Sequence, residues 1–274
     1  MKRIDTHTHP NISKHFAFDG ATVTRMVRMA KRVGLDAMAL TEHFHARQYW
    51  AVHEHLADTY PMARGVFEAD GLALIPGAEV NIREGAHVIV LAEVEELRRL
   101  DRAFAEPLSR GYEPPLREFL DVTDDFELVR IGAHTFRPCK ELGKFAAGDL
   151  RRLDALEING KDFGTELMLL TQARALGLPI VAGSDAHHWL QVGVRHTLVY
   201  AEEIGMNAVT KAIKEGLTGY GTGAYTPVRV RAAKALKNIT KLLRNCYGWT
   251  GRSHRGERAG LWCPPVADDK RLAR

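Results

Sequence analysis

Asp5-Thr6-His7-Thr8-His9 is the stretch on which the reading of this chain turns. Met1 to Thr8 reads as a short strand, with Ile4 as its buried residue between polar neighbours. Side chains two apart on a strand point the same way. His7 and His9 therefore leave the strand end side by side, toward one point. Two imidazoles on rigid backbone make half a metal site. Taken alone, the pair reads equally well as two hydrogen-bonded surface histidines.

The same event recurs along the chain. Ala21 to Val33 has helical spacing, with Val23, Met26, Val27, Ala30 and Val33 recurring at three and four, and Gly34 ends it. Asp36 to Leu40 is a short apolar strand that runs into Thr41-Glu42-His43. Ala46 to Asp70 is polar-rich and predicted helical. Gly77 to Ile82 forms a strand carrying Glu79, and a turn at Glu84-Gly85 leads into the apolar run His87 to Ala92. Glu93 to Glu127 is helix-prone, with breaks at Pro107, Gly111 and Pro114-Pro115. Leu128 to Ala133 is a strand ending at His134, and Leu153 to Ile158 another, ending near Asn159-Gly160. Thr165 to Leu176 is a helix. Pro179 to Gly183 is a strand ending at Ser184-Asp185-Ala186-His187, and His196 to Tyr200 is the last strand, followed by a helix from Met206 to Glu215.

Strand and helix in alternation predict an α/β fold with a mainly parallel sheet. In barrel-like α/β folds the site is built at the C-terminal ends of the strands. His7/His9, His43, His134 and Asp185/His187 stand at four such ends, with Glu79 and His87 on or beside two more strands. That recurrence is hard to produce with core or surface filler.

The chain has 274 residues, 45% of them hydrophobic and 26% charged, enough for one large domain or two small ones. No apolar run reaches the roughly 18–20 residues of a membrane span, and Met1-Lys2-Arg3 leads directly into Ile4-Asp5-Thr6 with no apolar leader. Cys139, Cys246 and Cys263 are far apart and form neither a zinc-type pair nor a disulfide framework. A cytoplasmic protein is therefore expected. The net charge of +4 is uneven: Arg229 to Arg274 holds twelve Lys/Arg against three Asp/Glu, a net +9, leaving −5 on residues 1–228. Every candidate site residue falls in the acidic part.

In that order, Asp5-Thr6-His7-Thr8-His9, Thr41-Glu42-His43, Gly77-Ala78-Glu79, Ala133-His134 and Gly183-Ser184-Asp185-Ala186-His187 resemble the polymerase and histidinol phosphatase (PHP) family. The resemblance covers residues 1–222. It implies a distorted (β/α)7 TIM-like barrel, two or three divalent metals, and hydrolysis of phosphate esters. By position, it implies that His7, His9 and Asp185 ligate one metal, and that Glu79 bridges this metal to a second held by His87 and His134. A third would lie on His15, His43 and His187. Glu79, Asp185 and His187 would then be the catalytic residues. The resemblance does not account for the segment after residue 222, which divides into a basic amphipathic helix over 223–246 and a basic tail over 247–274. No polymerase domain follows the barrel, so a polymerase role is not expected.

Seven imidazoles and two carboxylates suit zinc, manganese or iron better than magnesium, which prefers oxygen. A carboxylate bridge lets two cations sit roughly 3.5–4 Å apart, acidify a bound water and clamp phosphate oxygens. Several cations favour a substrate with several anionic oxygens, hence a phosphomonoester of a small metabolite or nucleotide. Arg137 and Arg195 are the expected phosphate clamps, since guanidinium meets phosphate with two parallel hydrogen bonds; the plain alternative is an ion-paired arginine on the barrel rim. His188 is placed either as a proton donor to the leaving group or as a surface histidine. Glu157-Ile158-Asn159 is suited to orient ligands, and a helix cap or buried hydrogen bond explains it nearly as well. His45, His53, His55 and His196 read as non-ligands. There is no Gly-rich phosphate loop, dinucleotide fingerprint or serine nucleophile elbow.

Val228 to Cys246 forms a helix with Ala232, Leu236, Ile239, Leu243 and Cys246 on one side and Lys234, Lys237, Lys241 and Arg244 on the other. The first reading packs the apolar side on the barrel and leaves the basic side in water. The second makes the helix and tail a nucleic-acid patch, although no aromatic platform accompanies the charge. The partners implied are thus a small phosphorylated substrate, nucleic acid through the tail in the second reading, and no membrane. The functional alternatives are a 3'-5' or 5'-3' exonuclease and, from a different class, a catalytically weak metal-binding regulatory module.

Overall fold

The computed structural model describes residues 1–11 and 17–246, with side chains as far as Ile239. His15 and the tail over 247–274 lie outside the described residues. The chain runs β1 (Lys2–Thr8), α1 (Gly20–Arg32), β2 (Ala37–Leu40), α2 (Tyr49–Thr59), β3 (Met62–Ala63), β4 (Val66–Ala69), β5 (Leu72–Asn81), β6 (His87–Leu91), α3 (Val94–Asp101), α4 (Leu116–Thr123), β7 (Val129–Gly132), α5 (Ala147–Leu150), β8 (Ala155–Asn159), α6 (Glu166–Leu176), β9 (Ile180–Gly183), β10 (Arg195–Val199), α7 (Met206–Lys214), β11 (Thr218–Thr222) and α8 (Thr226–Cys246).

One sheet runs β11-β10-β1-β2-β5-β6-β7-β8-β9, and β9 curls back against β1, β10 and β11. Hydroxyl groups tie this seam. Thr6 Oγ1 donates to the carbonyl of Ala182 at 3.1 Å, the Ala182 N–H donates to Thr197 Oγ1 at 2.8 Å, and Thr218 Oγ1 donates to the carbonyl of Ile180 at 2.9 Å. The result is a nearly closed barrel.

Alternation along each strand sends one set of side chains inward and the other outward. Ile4, Ala37, Ala39, Ile75, Ile89, Val129, Ile131 and Val181 fill the interior, and α7 adds Met206, Val209 and Ile213 to the same cluster. Met38, Leu40, Leu72 and Leu74 point the other way, into a layer shared with α1 and α2.

The pairing is more mixed than alternation of strand and helix predicts. β1/β2, β2/β5, β7/β8 and β8/β9 are parallel. β5/β6 and β6/β7 are antiparallel, as are β1/β10 and β10/β11. The reason at β5/β6 is a tight turn through Gly85, whose φ of 89° suits glycine, so β6 reverses direction. The hairpin sets His87, at the start of β6, opposite Asn81 at the end of β5. His87 thus arrives at the same rim as the strand-end histidines without being at a strand's C-terminal end.

Three local expectations are corrected. The helix predicted over 46–70 stops at Thr59; Pro61 cannot donate to a continuing helix, and Arg64 and Gly65, with φ of 53° and 74°, turn the chain into the β3/β4 hairpin. β11 was not expected from the sequence at all. α8 buries Val230 and Ala233, while Leu236 and Ile239, placed by sequence on the packed side, are 41% and 51% exposed. Arg229 fixes this rotation by donating to the carbonyls of Leu190 at 2.9 Å and Val192 at 2.6 Å.

Spacing argued against a disulfide framework, whereas Cys139 is disulfide-bonded. Among the described residues no helix is long and apolar enough to cross a membrane.

Candidate metal centre

β1 leads into His9, whose N–H donates to the carbonyl of Ala186 at 2.7 Å and pins the end of β1 to the segment after β9. Asp5 lies beneath the rim, fully buried. It accepts from the N–H groups of Ser184 at 2.9 Å and Gly193 at 2.7 Å, fixing the loop that carries Asp185 and His187. β9 packs so closely that a Cβ on Gly183 would stand 2.5 Å from His7 Cβ and 2.7 Å from Glu157 Oε1. A side chain there would push His7 out of place. His134 and Asp185 both adopt left-handed backbone, with φ of 31° and 51°. Such conformations cost energy outside glycine and concentrate at functional sites.

These constraints gather His7, His9, His43, Glu79, His87, His134, Asp185 and His187 at one rim. Glu79 is the centre. Its Oε1 lies 2.6 Å from His87 Nδ1 and 3.0 Å from His134 Nε2. Its Oε2 lies 3.0 Å from His43 Nδ1, 3.4 Å from His9 Nε2 and 3.7 Å from His7 Nε2. Asp185 Oδ1 is 3.3 Å from His9 Nε2 and 3.4 Å from His187 Nδ1. Three groups have ligand atoms close enough to share a cation: His7/His9/Asp185, His43/Glu79/His87 and His9/His43/His187. The first is the set that the resemblance implies for one metal. In the other two the geometry puts His43 beside Glu79 and His87, and His9 beside His187. His15 falls outside the described residues.

The donor set fits divalent cations. Nδ1 of His43, which faces Glu79, is buried with no hydrogen-bond partner among the described residues. His43 Nδ1 is 3.0 Å from a carboxylate oxygen and still makes no hydrogen bond to it. Buried imidazole nitrogens without partners are costly, and imidazole with carboxylate is the ligand chemistry of zinc, manganese and iron.

Burial and neighbouring charges set the ionisation of these groups. Burial opposes ionisation of Glu79, but His87, His43 and His7 overcome it and hold the carboxyl well below its usual range. Burial likewise opposes ionisation of Asp185, and Lys161, Arg137 and His7 reverse it. Burial drives His43 and His187 well below the ordinary imidazole value and takes His134 down to about 4. His7 and His9 behave oppositely. Burial would lower both, but Glu157, Asp185 and Glu79 raise His7, and Asp185, Glu42 and Glu79 raise His9.

Glu157 of β8 stands behind the candidate ligands His7 and His134. Its Oε1 accepts from His7 Nδ1 at 2.7 Å, and its Oε2 accepts from the His134 N–H and from Asn159 Nδ2, each at 3.0 Å. Glu42 was quoted in a motif without a role. It accepts from the N–H groups of His43 and Asn11, each at 3.0 Å, and lies 3.6 Å from His9 Nδ1.

A cavity of about 300 Å³ opens above Glu79, with Arg137, Lys140, Lys161 and His45 on its wall. Lys140 Nζ is 2.6 Å from His87 Nε2. Neither lysine was singled out from the sequence. Arg137 reaches the site, but its donors go to Asp162 Oδ1 at 3.0 Å, Asp185 Oδ2 at 2.9 Å and Asn159 Oδ1 at 2.9 Å. Arg195 is not on this wall. It bonds to Glu166 Oε2 and Thr222 Oγ1, each at 2.7 Å, as a rim arginine in an ion pair. His188 accepts from the Leu190 N–H. His53 is buried against Tyr49 and Trp50 on α2, and His196 meets Arg3.

A PHP-associated family profile matches residues 170–218. A protein named "probable phosphatase" from Thermoanaerobacter sp. (strain X514) is 27% identical over 223 residues, covering 69% of this chain and 81% of the relative. The crystal structure of PsfC from Pseudomonas syringae PB-5123 superposes with a TM-score of 0.75 at 26% identity, over 87% of this chain and 98% of PsfC. The lesion-specific endonuclease EndoQ of Pyrococcus furiosus shares the fold, with a TM-score of 0.63 at 18% identity over 81% of this chain and 57% of EndoQ. The ordered motifs, the barrel they build and these likenesses all support the polymerase and histidinol phosphatase (PHP) family.

Proposed function

We propose that the chain is a metal-dependent phosphoesterase that hydrolyses a phosphomonoester of a small metabolite or nucleotide. The observation that carries this is the Glu79 carboxylate, whose two oxygens each face a separate group of imidazoles, His87/His134 and His43/His9/His7. One carboxylate across two imidazole groups is the arrangement of a two-metal hydrolase. The probable phosphatase of Thermoanaerobacter supports a hydrolase of phosphate ester bonds.

In this reading His7, His9 and Asp185 would hold one cation and His87 and His134 a second, with one Glu79 oxygen offered to each. His9, His43 and His187 offer a third position. Zinc, manganese or iron suits this donor set. When bound, such ions supply Lewis acidity toward a phosphate oxygen and acidify water. The protein does the rest. Glu157 fixes the tautomer and plane of His7, Asp5 fixes the loop of Asp185 and His187, and cationic side chains on the cavity wall favour an anionic substrate. A cavity of about 300 Å³ is at the small end for ligand sites, which suits a terminal phosphate. The cytoplasmic setting expected from sequence belongs to the same proposal.

The test is purified protein loaded in turn with manganese, zinc and iron and assayed on p-nitrophenyl phosphate, phosphorylated metabolites and short oligonucleotides. Turnover of monoesters is expected. Turnover of oligonucleotides alone would establish the exonuclease reading instead, and stoichiometric metal with no turnover would establish the regulatory module.

A further inference from the structure

Lys161 lies two residues past the end of β8, and its N–H donates to Asn159 Oδ1 at 2.9 Å, closing a turn at the strand end. Its Nζ lies 2.8 Å from Asp185 Oδ1 and 3.2 Å from His187 Nδ1. Both residues belong to candidate cation groups. The ammonium therefore stands where a bound cation would compete with it, and like charges repel at that separation. Arg137 is placed differently. It contacts Asp185 through the other oxygen, Oδ2, and is also tied to Asp162 and Asn159, which belong to none of the cation groups. Cations can occupy the site while Arg137 stays. Lys161 has a flexible four-carbon stem and a compact charge, and it lines the cavity.

We propose that Lys161 is the phosphate-recognition cation of this site. Displaced from Asp185 and His187 when cations bind, its ammonium turns into the cavity and takes the extra anionic oxygen that a phosphomonoester carries and a diester lacks. Lys161 thereby sets the preference for monoesters. Arg137, the phosphate clamp expected from sequence, acts in this account as a positioning residue for Asp185. The inference rests on the phosphoesterase reading, but phosphate binding tests it separately.

The experiment uses the full-length chain reconstituted with manganese, with Lys161→Met and Lys161→Arg beside the wild type. Metal content, inorganic phosphate affinity by calorimetry, and KM for p-nitrophenyl phosphate and bis(p-nitrophenyl) phosphate are measured. The expected result for Lys161→Met is unchanged metal content, phosphate affinity weakened roughly 10- to 100-fold, as for loss of a charged hydrogen bond, a parallel rise in monoester KM, and little change with the diester. Lys161→Arg should recover most of the phosphate affinity. Unchanged phosphate affinity in metal-replete Lys161→Met overturns the proposal. So does a fall in metal content that tracks the loss of phosphate binding, because Lys161 would then act through the metals. Lys161-dependent phosphate binding in a wild type that hydrolyses no monoester would uphold the site and sink the phosphatase reading alone.

Discussion

Glu79 and His134 are 55 positions apart in the chain, and Oε1 of the first meets Nε2 of the second at 3.0 Å. The other oxygen of the same carboxylate lies 3.0 Å from His43 Nδ1. Glu79→Gln keeps the shape and removes the charge that holds two cations near each other. Its loss should exceed the roughly 10- to 100-fold typical of partners outside the ligand shell. Metal content should fall below the wild-type value and hydrolysis should be abolished, with far-ultraviolet circular dichroism unchanged. His9→Ala and Asp185→Ala should behave the same way. Folded, metal-replete variants that turn over at the wild-type rate would show that the reaction happens elsewhere.

Glu157 tests the layer behind the ligands. It is fully buried, and both oxygens are engaged, one by His7 Nδ1 and one by the His134 N–H and Asn159 Nδ2. Glu157→Gln should leave the fold intact and weaken metal affinity roughly 10- to 100-fold, measured by competition with a chelator. Wild-type affinity in this variant would mean that Glu157 only fills a polar slot in the core.

The strand-end residues were legible because chemically distinctive side chains interrupt apolar runs at one end of each strand. His7, His9, His43, His134 and Asp185 were found that way, and the barrel brings them together. His87 needed its motif as well, since it starts a strand that an antiparallel hairpin reverses. Lys161 was not legible. Where a lysine amine ends up depends on tertiary placement, here on the turn that Asn159 makes for it. Arg195 misled because its partner, Glu166 on α6, is near only in the fold. β11 was missed because Thr-Gly-Tyr-Gly-Thr has neither apolar alternation nor deep burial. The packed face of α8 was misassigned because two hydrogen bonds from Arg229, and not the stripe of larger apolar residues, set its rotation.

Proton release should accompany metal binding, and its source can be named. His43, His134 and His187 are held below the ordinary imidazole value by burial, so they are already neutral near pH 7. His7 and His9 are raised above 6.5 despite burial, by neighbouring carboxylates. In the metal-free protein the carboxylates favour a protonated imidazole in this pair, whose Nε2 atoms lie 3.0 Å apart, and a cation must displace that proton. As pH rises through their raised values the competing proton leaves and metal affinity increases, by up to about tenfold per pH unit for each proton. Metal titrations in weak buffer should acidify the solution, and the apparent affinity should climb above pH 6.5. A flat affinity from there to pH 9 would contradict the assignment of His7 and His9 to the first cation.

Asp5 offers a pH test independent of metal. It has no exposed surface, and burial pushes its carboxyl from 3.8 up to about 6, against the pull of hydrogen bonds from Ser184, Gly193 and His7. A folded-state value above the unfolded one means that the native protein prefers the protonated acid. This contribution to stability is fully present below pH 3.8 and is lost as pH rises through about 6. Asp5→Asn has the same shape and does not titrate. The variant also turns an amide toward backbone N–H groups, but that cost does not change with pH. Other titrating groups are common to both proteins and cancel in the comparison. The stability of wild type relative to Asp5→Asn should therefore decline between pH 4 and pH 7, by at most about 3 kcal/mol. Denaturant titrations across that range measure it directly. A difference independent of pH would mean that Asp5 ionises like an ordinary carboxylate, and that its bonds to Ser184 and Gly193 fully offset its burial.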